Sequence, residues 1–119
     1  MIKENENIIS WETNLFNAIK DVSDIKMQIN AWNGKSPNIV SSFSEIISIL
    51  YDDFDFERYI EYYEKENGEN KLLALMKDLD KMISEYNPPN SDELILSDPQ
   101  WIEITKKATS IYELKTNTN

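Results

Sequence analysis

The chain has 119 residues, a formal net charge of −10 from 22 acidic and 12 basic side chains, and neither cysteine nor histidine. That length predicts one domain, able to hide roughly two-thirds of the surface its unfolded chain exposes. Disulfides, thiolate nucleophiles, zinc fingers and imidazole bases are excluded by composition, and two glycines (Gly34, Gly68) are too few for a phosphate-cradling loop.

In chain order, residues 1–6 are polar and expected to be loose. From Ile8, the apolar residues Ile8, Trp11, Leu15, Ile19 and Val22 recur every three or four positions, widened by Phe16. That is the spacing of one buried helical face. Asp21-Val22-Ser23-Asp24 weakens the pattern. Ile25, Met27, Ile29 and Ala31 then alternate as a strand would, while Ile25, Ile29 and Trp32 fit a helix. No partner strand follows, so helix is the preferred reading of 25–32.

Asn33-Gly34 closes that segment, and Ser36-Pro37-Asn38 opens the next helix with Ser36 or Asn38 as its cap. Its face is Val40, Phe43, Ile47, Leu50, Tyr51 and Phe54, flanked by Ile46. The helix is expected to stop near Asp52-Asp53, because carboxylates oppose the dipole at a helix C-terminus and suit the start of the following one. Asp53 or Asp55 is therefore expected to cap a third helix, with Phe56, Tyr59, Ile60 and Tyr63 inward and Glu57, Glu61 and Glu64 outward.

Asn67-Gly68 ends it and Asn70 caps a fourth, whose face is Leu72, Leu75, Met76, Leu79, Met82, Ile83 and Tyr86. Asn87-Pro88-Pro89-Asn90 is a strong breaker. Residues 91–96 read as a short helical turn. Asp98-Pro99 then starts the last helix, lined by Trp101, Ile104, Ala108, Ile111 and Tyr112, with Lys106 and Lys107 outward. Residues 115–119 are polar and expected to be loose. The expectation is an all-α fold: one compact bundle of about five helices spanning residues 1–119.

Charge is concentrated in one stretch. Between Asp52 and Glu69 stand eight carboxylates (Asp52, Asp53, Asp55, Glu57, Glu61, Glu64, Glu66, Glu69) against Arg58 and Lys65, a net −6. Asp53, Asp55 and Glu57 alternate like the first ligands of a calcium loop, and Glu64 falls at the twelfth place. The sixth place, where such a loop needs glycine, is Arg58, so helix capping is the simpler reading. Paired carboxylates also serve glycosidases, but they need an enclosing cleft that small bundles rarely supply. Neither an enzyme nor a metal or cofactor site is expected.

Tyr62 lies among these carboxylates. It either offers large contact area to a partner at small entropic cost or simply covers a neighbouring helix. Trp11 and Trp101 fall on apolar stripes and read as packing. A surface this anionic repels nucleic acid and anionic lipid, and raises the on-rate for a basic protein. The expected binding surface is Asp52, Asp53, Asp55, Glu57, Glu61, Tyr62 and Glu64. No apolar run approaches the ~20 residues of a membrane span. The first seven residues lack the basic and then apolar order of a signal peptide, so a cytoplasmic location is expected.

Residues 43–115 resemble the small helical immunity proteins of bacterial contact-dependent growth inhibition systems. The resemblance rests on Ile49-Leu50-Tyr51-Asp52-Asp53-Phe54-Asp55, on the leucine-rich Leu72-Leu73-Ala74-Leu75-Met76-Lys77-Asp78-Leu79-Asp80-Lys81-Met82-Ile83, and on the late Trp101. It departs at Asp52, where many members carry histidine. The resemblance implies a cytoplasmic, non-enzymatic inhibitor that binds the C-terminal toxin domain of its own system, often a nuclease with a basic cleft, and covers its active site or substrate surface. The alternative reading is an acidic nucleic-acid mimic that occupies the DNA-binding groove of a host protein.

Overall fold

Helix starts and stops in this chain follow local chemistry closely. A computed structural model describes residues 2–32 and 41–117, with side chains from Asn7 onward. Among the described residues there are seven α-helices and no strand: α1 (Ile2–Ser23), α2 (Ile25–Trp32), α3 (Phe43–Ser48), α4 (Phe56–Asn67), α5 (Lys71–Glu85), α6 (Asp92–Leu96) and α7 (Pro99–Asn117). The all-α expectation holds, but about five helices becomes seven because α2 and α6 stand as separate short helices. Helices of eight and five residues are too short to persist alone, and these two pack against each other.

The caps are local. Asp24 Oδ1 accepts from the Met27 N–H, Asn70 Oδ1 from Leu73 and Ser91 Oγ from Leu94, opening α2, α5 and α6. Asp98 does the same for α7, accepting from the Gln100 N–H at 3.1 Å with Pro99 in the first turn. Gly68 closes α4 at φ 72°, where a side chain would be strained, and its N–H reaches the Glu64 carbonyl at 2.8 Å. The expected stop at Asn33-Gly34 and the cap at Ser36 or Asn38 lie outside the described residues. Helix α3 itself begins at Phe43, with Ser42 Oγ accepting from the Glu45 N–H. Where loose ends were expected, α1 is helical from Ile2 and α7 continues to Asn117.

Helix α7 is the spine. It packs along both α1 and α5, and Trp101, Ile104, Ala108 and Ile111 along it are buried. Leu15, Ile19 and Val22 of α1, and Leu72, Leu73, Met76 and Leu79 of α5, complete that core. Leu73 was not on the expected stripe, yet it is buried, whereas Leu75 is only partly so. The α3 stripe shifts likewise: Ile46, read as flanking, is buried, and Phe43 and Ile47 are half-buried. Phe43 instead joins an aromatic cluster with Trp32, Tyr86 and Trp101.

One buried polar side chain ties the first third of the chain to the last. Gln28, wholly inaccessible, donates from Nε2 to the Asp21 and Val22 carbonyls at 2.8 and 2.9 Å. Both carbonyls lie in the last turn of α1, where the regular helical ladder ends, and that of Asp21 also accepts from the Asp24 N–H at 3.3 Å. Its Oε1 accepts from the Trp101 indole N–H at 2.9 Å, across 73 residues. Residues 25–32 are helical because Asp24 caps them and Gln28 serves both α1 and α7.

Candidate functional site

The acidic stretch is built on an irregular joint. Helix α3 passes without a break into a π-helical turn, Ile49–Asp53, in which the Phe54 N–H reaches the Ile49 carbonyl at 3.1 Å. Single π-turns of this kind widen a helix and re-aim its side chains. Leu50 faces inward and is fully buried, and the Tyr51 hydroxyl donates to Asp80 of α5 at 2.7 Å. With those two held inside, Asp52 and Asp53 are left exposed. Asp52 accepts from Ser48 Oγ at 2.9 Å.

Asp55 then reverses the chain into α4 in a left-handed conformation, φ 51° and ψ 63°. It occupies the N-cap position, as expected, but its carboxylate caps nothing. A side-chain cap requires extended backbone at that position, and left-handed backbone turns the carboxylate away. The joint is fastened to α1 instead: the Trp11 indole N–H donates to the Phe54 carbonyl at 2.6 Å.

The seven residues expected at a binding surface divide into groups. Asp52, Asp53 and Asp55 line one open concavity of about 460 Å³ with Asn7, Ile8, Trp11, Phe54 and Arg58. Glu57 and Glu61 are exposed on α4, one helical turn apart. Tyr62 and Glu64 sit on opposite flanks of that helix. Tyr62 is half-buried and packs toward α1, with its ring centroid 5.7 Å from Trp11 and 6.0 Å from Tyr59. Glu64 faces α5, where it pairs with Lys77 at 3.0 Å.

Sequence reasoning missed Trp11, Ile8 and Arg58 as part of this surface. Trp11 sits on an apolar stripe, and nothing in its neighbours reveals that Phe54, 43 positions later, will lie beside it. Arg58 sits in the middle of the acidic run and was read only as a charge set against it.

The electrostatics differ along the edge. Among the described residues, no lysine or arginine pairs with Asp52, Asp53, Asp55, Glu57 or Glu61; the ion pairs lie at Glu64, Glu103, Asp78 and Glu12. Beneath the edge, burial, the hydrogen bond to Asp80 and the nearby charges of Asp80 and Glu57 push the Tyr51 hydroxyl well above the ordinary tyrosine range. Burial and the bond to Glu12 do the same for Tyr59. These phenols stay protonated and donate; they are fasteners of the fold. Among the described residues, no three carboxylates stand close enough together to hold a metal ion, and no helix is long and apolar enough to cross a membrane.

What the arrangement offers chemically is an open, anionic and partly aromatic surface on the joint between α3 and α4. No family model matches the sequence, and neither a curated protein nor a solved structure shows significant similarity to the chain.

Proposed function

We propose that this is a non-enzymatic inhibitor that holds a basic partner domain against the edge formed by the π-turn and the outer side of α4. The partner is the toxin domain of a contact-dependent growth inhibition system, a nuclease with a cationic cleft, neutralised in the cytoplasm by being covered. The identity of the partner rests on the resemblance of residues 43–115. The observation that carries the surface is the exposed row Asp52, Asp53, Asp55, Glu57 and Glu61, none of which is in an ion pair among the described residues. Exposed like charges repel one another, and a cationic surface that meets them gains in encounter rate and in specificity.

The test is co-expression with the C-terminal toxin domain of any contact-dependent growth inhibition effector found to be encoded beside this gene. Growth rescue and a tight complex are expected. Reversal of Asp52, Asp53 and Asp55 to lysine should weaken binding by roughly 100-fold and flatten its salt dependence. Undiminished neutralisation by that variant would place the contact elsewhere. The row of Glu57 and Glu61 along one side of α4 also favours a second reading, a nucleic-acid mimic on a host DNA-binding protein. That reading requires duplex DNA to displace the protein from its partner.

A further inference from the structure

Resting on the basic-partner reading, we propose that the concavity between the first half of α1 and the π-turn is the slot for an arginine side chain of the partner. Its walls differ in kind. Ile8 and Trp11 supply apolar and aromatic surface, while Asp52, Asp53 and Asp55 supply three carboxylates against the single guanidinium of Arg58.

Three observations select the occupant. Trp11 is already oriented: its N–H is committed to the Phe54 carbonyl, and Tyr59 and Tyr62 pack against its ring at centroid distances of 5.3 and 5.7 Å. The part of the indole that lines the concavity offers aromatic surface, which attracts cations and above all planar ones. The three carboxylates are also too dispersed to converge on one metal ion among the described residues. Separated acceptors suit a guanidinium, whose five donors fan out in a plane, better than the compact ammonium of lysine. Finally, Arg58 makes no ion pair among the described residues, so no internal cation occupies the carboxylates. Its charge in the same concavity opposes the incoming one, and a partner must overcome that repulsion.

The test uses N-acetyl-arginine amide as the probe, with the lysine and citrulline analogues as controls, and follows the three indole N–H and the backbone amide resonances by NMR; Trp11→Phe assigns the first. The arginine probe should shift the Trp11 resonance saturably, with half-saturation on the order of millimolar, and leave those of Trp32 and Trp101 in place. Lysine should bind about fivefold more weakly, and neutral citrulline not detectably. Asp53→Asn with Asp55→Asn should weaken the arginine response about fivefold, and Arg58→Ala should strengthen it. All four substituted positions are exposed or, for Trp11, conservatively replaced, so folding is checked by the unmoved Trp101 resonance. A Trp11 resonance that does not respond, or that responds equally to lysine or in the Asp53 and Asp55 variant, overturns the slot. If shifts appear only along Glu57 and Glu61, the slot fails while the basic-partner reading stands. If the slot fails and the lysine-reversed protein still neutralises the toxin, both fall.

Discussion

Two tryptophans divide the molecule. Trp101 is fully buried at the start of α7, stacked on Tyr86 and flanked by Phe43 and Trp32, and its N–H is received by the buried side chain of Gln28. Trp11 is half-exposed at the edge of α1, its N–H received by a backbone carbonyl and its surroundings acidic. At Trp101 each polar group is enclosed and answered, so any change there is felt by the whole fold. At Trp11 carboxylates stand in water, and changing them leaves the packing behind them intact. Stability is concentrated along α7, and the charged edge lies outside the packed core.

The largest expected effect is at the first of these regions. Trp101→Ala removes a buried indole and strands the Gln28 carbonyl, a loss of about 3–5 kcal/mol in urea unfolding. Gln28→Ala, which leaves the Val22 carbonyl and the Trp101 indole N–H unanswered, should cost about 2–3 kcal/mol. If Gln28→Ala unfolded like the wild-type protein, the tie between α1 and α7 would be ornamental and the contrast would collapse.

Raising the pH probes the fasteners on both sides at once. Burial and hydrogen bonds to Asp80, Glu12 and Asp98 raise the hydroxyls of Tyr51, Tyr59 and Tyr86 above the ordinary value near 10. A folded value above the unfolded one means that their contribution is complete below pH ~10 and declines as pH rises beyond it, because only the unfolded chain then readily loses those protons. Absorbance of ionised tyrosine should therefore lag for these residues and rise together with loss of the helical circular dichroism signal. Full ionisation with the helix signal intact would refute the burial of these hydroxyls.

The smallest effect is at the acidic joint. Asp55→Gly removes a side chain from left-handed backbone and should raise stability by up to about 1 kcal/mol, visible as a higher Tm. A fall instead would mean that the Asp55 carboxylate contributes to holding the joint. Set against Trp101→Ala, this opposite sign is the sharpest form of the contrast between the two regions.

Much of this architecture was legible from the chain. Asn70, Gly68, Asp98-Pro99 and the proline pair after Tyr86 mark helix ends through interactions within a few residues, and the spacing of Trp101, Ile104, Ala108 and Ile111 states which side of α7 is inward. The number of helices was less legible, since α2 and α6 persist by packing on each other rather than by their own propensity. At the candidate site the sequence marked the carboxylates but not their grouping. Asp52, Asp53 and Asp55 share a concavity with Trp11, while Glu64 is drawn to Lys77 and Tyr62 is laid against α1.

Sequence alone determined what depends on neighbours along the chain: the helical class, the caps at Asn70 and Asp98, the inward faces of α1 and α7 and the place where negative charge accumulates. Tertiary structure decided the π-turn, the left-handed Asp55, the meeting of Trp11 with Phe54 and the bridge from Gln28 to Trp101. Caps and periodicity are settled by contacts three or four residues apart. A hydrogen bond across 43 or 73 residues exists only once the intervening helices have packed, and packing depends on the whole core at once.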